Sequence, residues 1–224
     1  MKTEIKRYKK LQYAIAIPDN FDPSRKYPCV IFLHGSGTRG NDPDVLLGNC
    51  YFEHTAALGY DAVSFAPQCN SDSWFDVHEQ LIDFAEFVSS CDFVDEDRVY
   101  LMGASMGGYA TWQLAISRPD LFAAIVPICG GGTYWNAYRL CSMGVWAVHG
   151  ANDDAVLPEE SVKMVNAIRA AGGKAELSIL EGVGHGSWVY AYTSREIYDW
   201  MFSHSRQRPD TEGKDIYTDS TIYG

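Results

Sequence analysis

Gly103-Ala104-Ser105-Met106-Gly107-Gly108 is the stretch on which the reading of this 224-residue chain turns. A short apolar run, Arg98-Val99-Tyr100-Leu101-Met102, leads into it, and a helical segment, Tyr109-Ala110-Thr111-Trp112-Gln113-Leu114-Ala115, leads out. Strand, sharp turn with a central serine, then helix is the pattern of a nucleophile elbow. The turn predicts Ser105 in a strained conformation, so its neighbours must be small. Gly103 and Gly107 let the strand and helix backbones close around it, and the helix start directs backbone N–H groups toward developing negative charge. The plain alternative is an inert glycine turn, and the rest of the chain argues against it.

Working outward, Cys29-Val30-Ile31-Phe32-Leu33 is a continuous apolar run, as expected of a strand covered on both faces. His34-Gly35-Ser36-Gly37-Thr38-Arg39-Gly40-Asn41-Asp42 follows as a glycine-rich loop. It lacks the Gly-Lys-Ser/Thr ending of a Walker phosphate loop. Its functional reading is an oxyanion loop, with the N–H of Ser36 paired with the N–H of Met106. His34 is expected to brace this loop. Arg39 either braces it or faces the pocket.

A serine hydroxyl needs a base, and the base needs an orienting carboxylate. Strand 145–148 leads to Asp153 and Asp154, and the next strand, 175–180, leads to Gly184-His185-Gly186. Both loops are expected on the same edge of the sheet as Ser105, in the chain order Ser, Asp, His. His185 is the expected base. Local chemistry does not choose between the two aspartates. His149 is expected to stabilise the turn of the acid loop.

The remaining segments complete an alternation of strands and helices. Strand 11–17, halted by Pro18, reads as an edge strand, and 62–66 as an interior one. Segments 45–58, 77–91, 160–171 and 189–202 read as helices, the second from the spacing of Leu81, Phe84, Ala85 and Val88. The acidic run 92–97 reads as a solvent-facing turn, and 123–129 as another buried strand. Loops at the C-terminal ends of sheet strands carry ligands in open α/β folds. Gln68 and Trp74, in the loop after 62–66, are therefore substrate-binding candidates, as are Tyr134, Trp135 and Trp188. Each aromatic either contacts substrate or packs its loop.

Length and composition fit one domain over residues 1–202, with a polar, loosely packed tail over 203–224. The net charge of -11 argues against nucleic acid or an anionic membrane as partner. The basic start has no apolar run behind it, and no stretch is long and apolar enough to span a membrane. The six cysteines lack C-x-x-C spacing, which disfavours a zinc site, and Cys29 and Cys129, in apolar strand-like runs, read as buried thiols in a reducing, cytoplasmic setting.

These motifs resemble the α/β-hydrolase superfamily. The chain is most similar to compact esterases grouped with predicted-peptidase, dienelactone-hydrolase-like and feruloyl or polyhydroxybutyrate-depolymerase-like branches. Asp97 to Trp112, Arg118 to Ala124, Pro127-Ile128-Cys129-Gly130-Gly131, His149 to Val156 and Gly184 to Trp188 carry the likeness. It implies an α/β-hydrolase fold: a mostly parallel central sheet, helices on both faces and little or no lid. It also implies Asp153 as the acid, four residues after the histidine of the His-Gly motif, and the Ser36 and Met106 amides as oxyanion donors. The expected activity is serine carboxylesterase chemistry without metal or cofactor. The expected substrate is a small-molecule or carbohydrate-linked ester of a short-acyl or feruloyl-type acid. A serine peptidase and a non-catalytic ester or sugar binder are the alternatives. The short stretch 132–145 and the early first strand weigh against the peptidase.

Overall fold

In the computed structural model, residues 1–206 are described. The part of the expected tail from residue 207 onward lies outside them. Eight strands form one sheet in the order β1-β2-β4-β3-β5-β6-β7-β8: β1 (Lys2–Tyr8), β2 (Leu11–Ile17), β3 (Tyr27–Leu33), β4 (Val63–Pro67), β5 (Val94–Ala104), β6 (Ala124–Ile128), β7 (Gly144–Gly150) and β8 (Glu176–Leu180). From β4 through β8 every pairing is parallel, whereas β2 runs antiparallel to both β1 and β4.

Side chains alternate between the two faces of a strand, and that alternation sorts the core into two layers. Cys29, Ile31 and Leu33 of β3, with Val99 and Leu101 of β5, pack against α3 (His78–Ser89), α4 (Met106–Ser117) and α5 (Glu159–Ala170). Val30 and Phe32, with Tyr100 and Met102, face α1 (Pro43–Leu47), α2 (Cys50–Leu58), α6 (Trp188–Thr193) and α7 (Arg195–Phe202). The sheet is thus buried on both sides, as the apolar runs required. No helix of the described residues is long and apolar enough to cross a membrane.

Several sequence expectations are corrected. Strand 11–17 is interior, because β1 covers it from Lys2↔Ile17 to Tyr8↔Leu11, through a tight turn with Lys9 at φ 51°. The charges of β1 suit the outer strand, where they discourage edge-to-edge pairing. The expected helix 45–58 is two helices. Gly48 ends the first, and the Asn49 side chain accepts from the Tyr51 N–H to cap the second. The closing helix likewise breaks at Ser194, whose side chain accepts from the Ile197 N–H. The acidic run 92–97 is not a surface turn throughout, because β5 begins at Val94, which pairs with Tyr27 ahead of a register shift at Pro28.

The closest backbone approach lies where α4 meets β3. A Cβ on Gly107 would fall inside the contact radius of the Leu33 carbonyl oxygen. Gly107→Ala is therefore expected to destabilise the fold by about 3 kcal/mol or more, because backbone, not a flexible side chain, must move. Urea unfolding midpoints of the two proteins measure this.

Candidate active site

The site is built on the turn between β5 and α4. Ser105 has φ 57° and ψ -119°, a conformation that side-chain-bearing residues rarely adopt. Its own N–H donates to the Ile128 carbonyl at 2.9 Å, and its carbonyl accepts from the Tyr109 N–H at 3.0 Å. The turn closes because Gly103 and Gly107 face each other with no Cβ between.

His185 comes from the loop after β8. Its Nε2 lies 2.8 Å from Ser105 Oγ, and its Nδ1 lies 2.8 Å from Asp153 Oδ2. A carboxylate only accepts, so Nδ1 carries the proton and Nε2 is free to accept from the serine hydroxyl. Asp153 Oδ1 accepts from the N–H groups of Ala155 at 3.0 Å and Val156 at 2.9 Å. Burial pushes the Asp153 carboxyl upward, but the hydrogen bonds from His185 and these two amides outweigh it, and the net shift is downward. The neighbouring Asp154 is exposed. The geometry therefore joins Asp153, not Asp154, to the histidine.

Beneath this chain His149 ties the acid loop to the core. Its Nε2 lies 2.9 Å from the Val156 carbonyl and 3.2 Å from Asp153 Oδ2, and its Nδ1 lies 2.8 Å from Ser161 Oγ, which donates to the Gly130 carbonyl. Cys129 completes the underside, its sulfur within 4.8 Å of ligand atoms of both Asp153 and His185. These are metal-ligand types, yet burial pushes the Cys129 thiol up to about 12. At neutral pH it is a protonated, packed thiol rather than a metal-ready thiolate.

The loop after β3 lies across Ser105. Ser36 opens a short 3-10 turn, Ser36–Thr38, and Met106 opens α4, so both N–H groups are first-turn donors with no carbonyl behind them in their own helix. The loop is clamped from below. Arg39 donates to the carbonyls of Ser36 at 2.9 Å and Asp72 at 2.8 Å, which settles its role as a brace. His34 donates from Nδ1 to the Gly35 carbonyl at 2.7 Å and accepts at Nε2 from the Cys69 N–H at 3.0 Å.

Two substrate-binding expectations are corrected here. Gln68 is fully buried, donating to the carbonyls of Thr38 and Asp42 at 3.0 Å while its Oε1 accepts from Gln12 at 2.7 Å. Trp74 is 1% exposed and donates from Nε1 to the His34 carbonyl at 3.0 Å. Both support the loop and neither reaches the cavity. Tyr134 and Trp135 are exposed, edge to face at 5.2 Å on the 3-10 segment Tyr134–Leu140, and neither lines the cavity. Trp188 does line it, edge-on to His185 with ring centres 5.4 Å apart.

The cavity beside Ser105 and His185 holds about 450 Å³. Thr38, Asn49, Cys50 and Tyr192 also line it, and sequence reasoning passed over all four. The signal for Asn49 was the Gly48-Asn49 pair, a helix break hidden inside an apolar run.

The signature of the prolyl oligopeptidase family matches residues 65–142 and 133–208, well over half the chain. The feruloyl esterase C of Emericella nidulans is 26% identical over 172 residues, 72% of this chain and 62% of that protein. Human dipeptidyl peptidase 8 is 29% identical over 143 residues, 54% of this chain and 15% of that protein. Among solved structures, a thermostable esterase superposes with TM-score 0.80 at 30% identity, covering 91% of this chain and 63% of that one. The chain spans less than two thirds of the length of each of these proteins.

Burial pulls the His34 imidazole down to about 4, against a weaker upward pull from its bond to Gly35. The unfolded chain binds that proton more readily at every pH between 6.5 and 4. Stability is therefore expected to fall by about 3 kcal/mol as pH is lowered across that window, and this share levels off below it. Imidazole NMR titration should find the His34 ring still neutral at pH 5. The signature match over more than half of the chain, borne on this fold, means that the chain belongs to the prolyl oligopeptidase family of α/β-hydrolases.

Proposed function

We propose that this chain is a serine carboxylesterase working through an acyl-enzyme. Ser105 attacks the ester carbonyl as His185 Nε2 takes its proton. Asp153 holds the Nδ1–H tautomer and stabilises the imidazolium. The N–H groups of Ser36 and Met106 receive the oxyanion. The imidazolium then protonates the leaving alcohol, and a water activated by the same histidine releases the acid. The observation that carries this reading is the hydrogen-bonded series Ser105–His185–Asp153 at the mouth of a cavity.

The cavity also bears on substrate class. None of its lining residues is Asp, Glu, Lys or Arg. A peptidase that grips a charged chain end needs an opposite charge there, since a buried unpaired ion is costly. A neutral acyl group needs none. The volume suits a short or monoaryl acyl group, and Trp188 offers it a flat face. Exposed Tyr134 and Trp135, on the segment that follows β6, are suited to the alcohol side, including a sugar ring. The likeness to feruloyl esterase C supports a hydroxycinnamoyl ester, and six free thiols support a reducing compartment. Peptidase action is the second reading, favoured by the likeness to dipeptidyl peptidase 8.

Ser105→Ala should stay folded and lower turnover of a short acyl ester by about 10³-fold or more. Asp153→Asn should cost a comparable factor, because the wrong tautomer faces Ser105, whereas Asp154→Asn should stay within about twofold. Steady-state kinetics on purified proteins decide this, and equal losses in the two asparagine variants would remove Asp153 from the mechanism.

On a panel of acetyl, feruloyl and long-chain lipid esters with an aminoacyl amide, the parent should favour the first two. Preference for the amide over every ester would overturn the esterase reading in favour of the peptidase.

A further inference from the structure

Tyr192, on α6, stands out among the residues around the cavity. Its ring is wedged edge-on against Phe32 and Tyr51, at 5.5 Å from each. The neighbouring phenols are satisfied: Tyr51 shares a hydrogen bond with Ser64 Oγ at 3.0 Å, and Tyr198 donates to the Met102 sulfur at 3.6 Å. The Tyr192 hydroxyl has no hydrogen-bond partner among the described residues, and it is not one of the sealed polar atoms. The residue is only 2% exposed, and it lines the cavity. A buried polar group without a partner is disfavoured unless something meets it.

A second residue with a hydroxyl, Thr38, lines the same space. Thr38 Oγ1 accepts from Asn49 Nδ2 at 3.1 Å, which leaves the Thr38 hydroxyl proton to donate elsewhere. Both groups are neutral, and no Asp, Glu, Lys or Arg lines the cavity. A carboxylate or ammonium on the ligand would therefore be buried unpaired. An uncharged oxygen would be matched.

We propose that Tyr192 is a specificity-determining residue, its hydroxyl hydrogen-bonding an uncharged oxygen on an aryl acyl group and so selecting hydroxylated over plain cinnamoyl-type esters. This rests on the esterase reading and deepens it. A site built around a ligand hydroxyl discriminates against the analogue that lacks it more strongly than an apolar pocket discriminates by size.

Tyr192→Phe removes one oxygen and keeps the ring between Phe32 and Tyr51. Methyl cinnamate and its 2-, 3- and 4-hydroxy forms serve as probes. In the parent, at least one hydroxylated ester should exceed methyl cinnamate in kcat/KM by about tenfold, the worth of one good neutral hydrogen bond. That ratio should collapse to about one in Tyr192→Phe, with Tm equal to or above the parent's. An unchanged ratio, an equal loss for both kinds of ester, or no preference in the parent would overturn the proposal. Calorimetric binding of the same esters to Ser105→Ala, and to Ser105→Ala with Tyr192→Phe, reads the preference without turnover. If the parent hydrolyses no ester at all, the esterase reading fails, and the affinity ratio still decides the role of Tyr192.

Discussion

The backbone of Ser105 is the constraint that the site depends on. A side-chain-bearing residue at φ 57° is held against a cost of about 1–3 kcal/mol, and it persists only where its surroundings leave no alternative. Here three parallel strands supply them. Its N–H is taken by β6 through the Ile128 carbonyl. Gly107 lies against the end of β3 at the Leu33 carbonyl, and Gly108 against the end of β6, both closer than any Cβ allows. Straightening the turn would lose these contacts together. The strain is thus spread over the middle of the sheet, the most buried part of the molecule, rather than borne by one loop.

Apart from the exposed Arg39 brace, the supports around that turn are neutral or self-cancelling groups. The loop over Ser105 is fixed by His34, Gln68 and Trp74, each spending its hydrogen bonds on backbone or on another uncharged side chain. Asp153, the one buried carboxylate among the described residues, accepts from two backbone amides and from His185, with His149 Nε2 3.2 Å away. A carboxylate so satisfied stays ionised in a buried place, which a histidine accepting a proton next to it requires. The arrangement also explains the polar interior of this edge of the sheet. His149 and Ser161 carry the connection from Asp153 to the Gly130 carbonyl, so the loops after β6 and β7 are tied together by hydrogen bonds.

How far the sequence disclosed this follows from what kind of pattern each feature leaves. Strands buried on both faces appear as unbroken apolar runs, so β3 and β6 are legible. The elbow is legible because its geometry demands glycine at fixed offsets. Its partners follow from topology, since loops after successive parallel strands open on one edge. The missed features leave no periodic trace. The break at Asn49 depends on a side chain capping the next helix, and apolar residues on both sides mask it. β1 carries few apolar residues because it is the outer strand. Gln68 was read as a binding residue from its place at a strand end, but its partners Gln12 and Thr38 are distant in sequence and come together only in the fold. Tyr192 was invisible for a related reason: on α6 it reads as one more buried aromatic, and only the missing partner of its hydroxyl sets it apart.

Family membership and cavity lining constrain different parts of the chemistry. A serine, a histidine and an aspartate in this geometry can open an ester or an amide, because both routes pass through a tetrahedral oxyanion and a proton delivered to the leaving group. The relay by itself therefore cannot separate the esterases from the dipeptidyl peptidases that this chain resembles. Separation must come from ground bound at a distance from the reacting bond. A charged chain end would have to give up its water to enter a space walled by Thr38, Asn49, Cys50, Trp188 and Tyr192, and none of these returns a countercharge. On the proposed reading, an uncharged acyl group would lose only weak hydration there and gain apolar contact. On the proposed esterase reading, the same fold and the same elbow would reach different substrates through a handful of side chains: Thr38 on the loop after β3, Asn49 and Cys50 at the start of α2, and Trp188 and Tyr192 on α6.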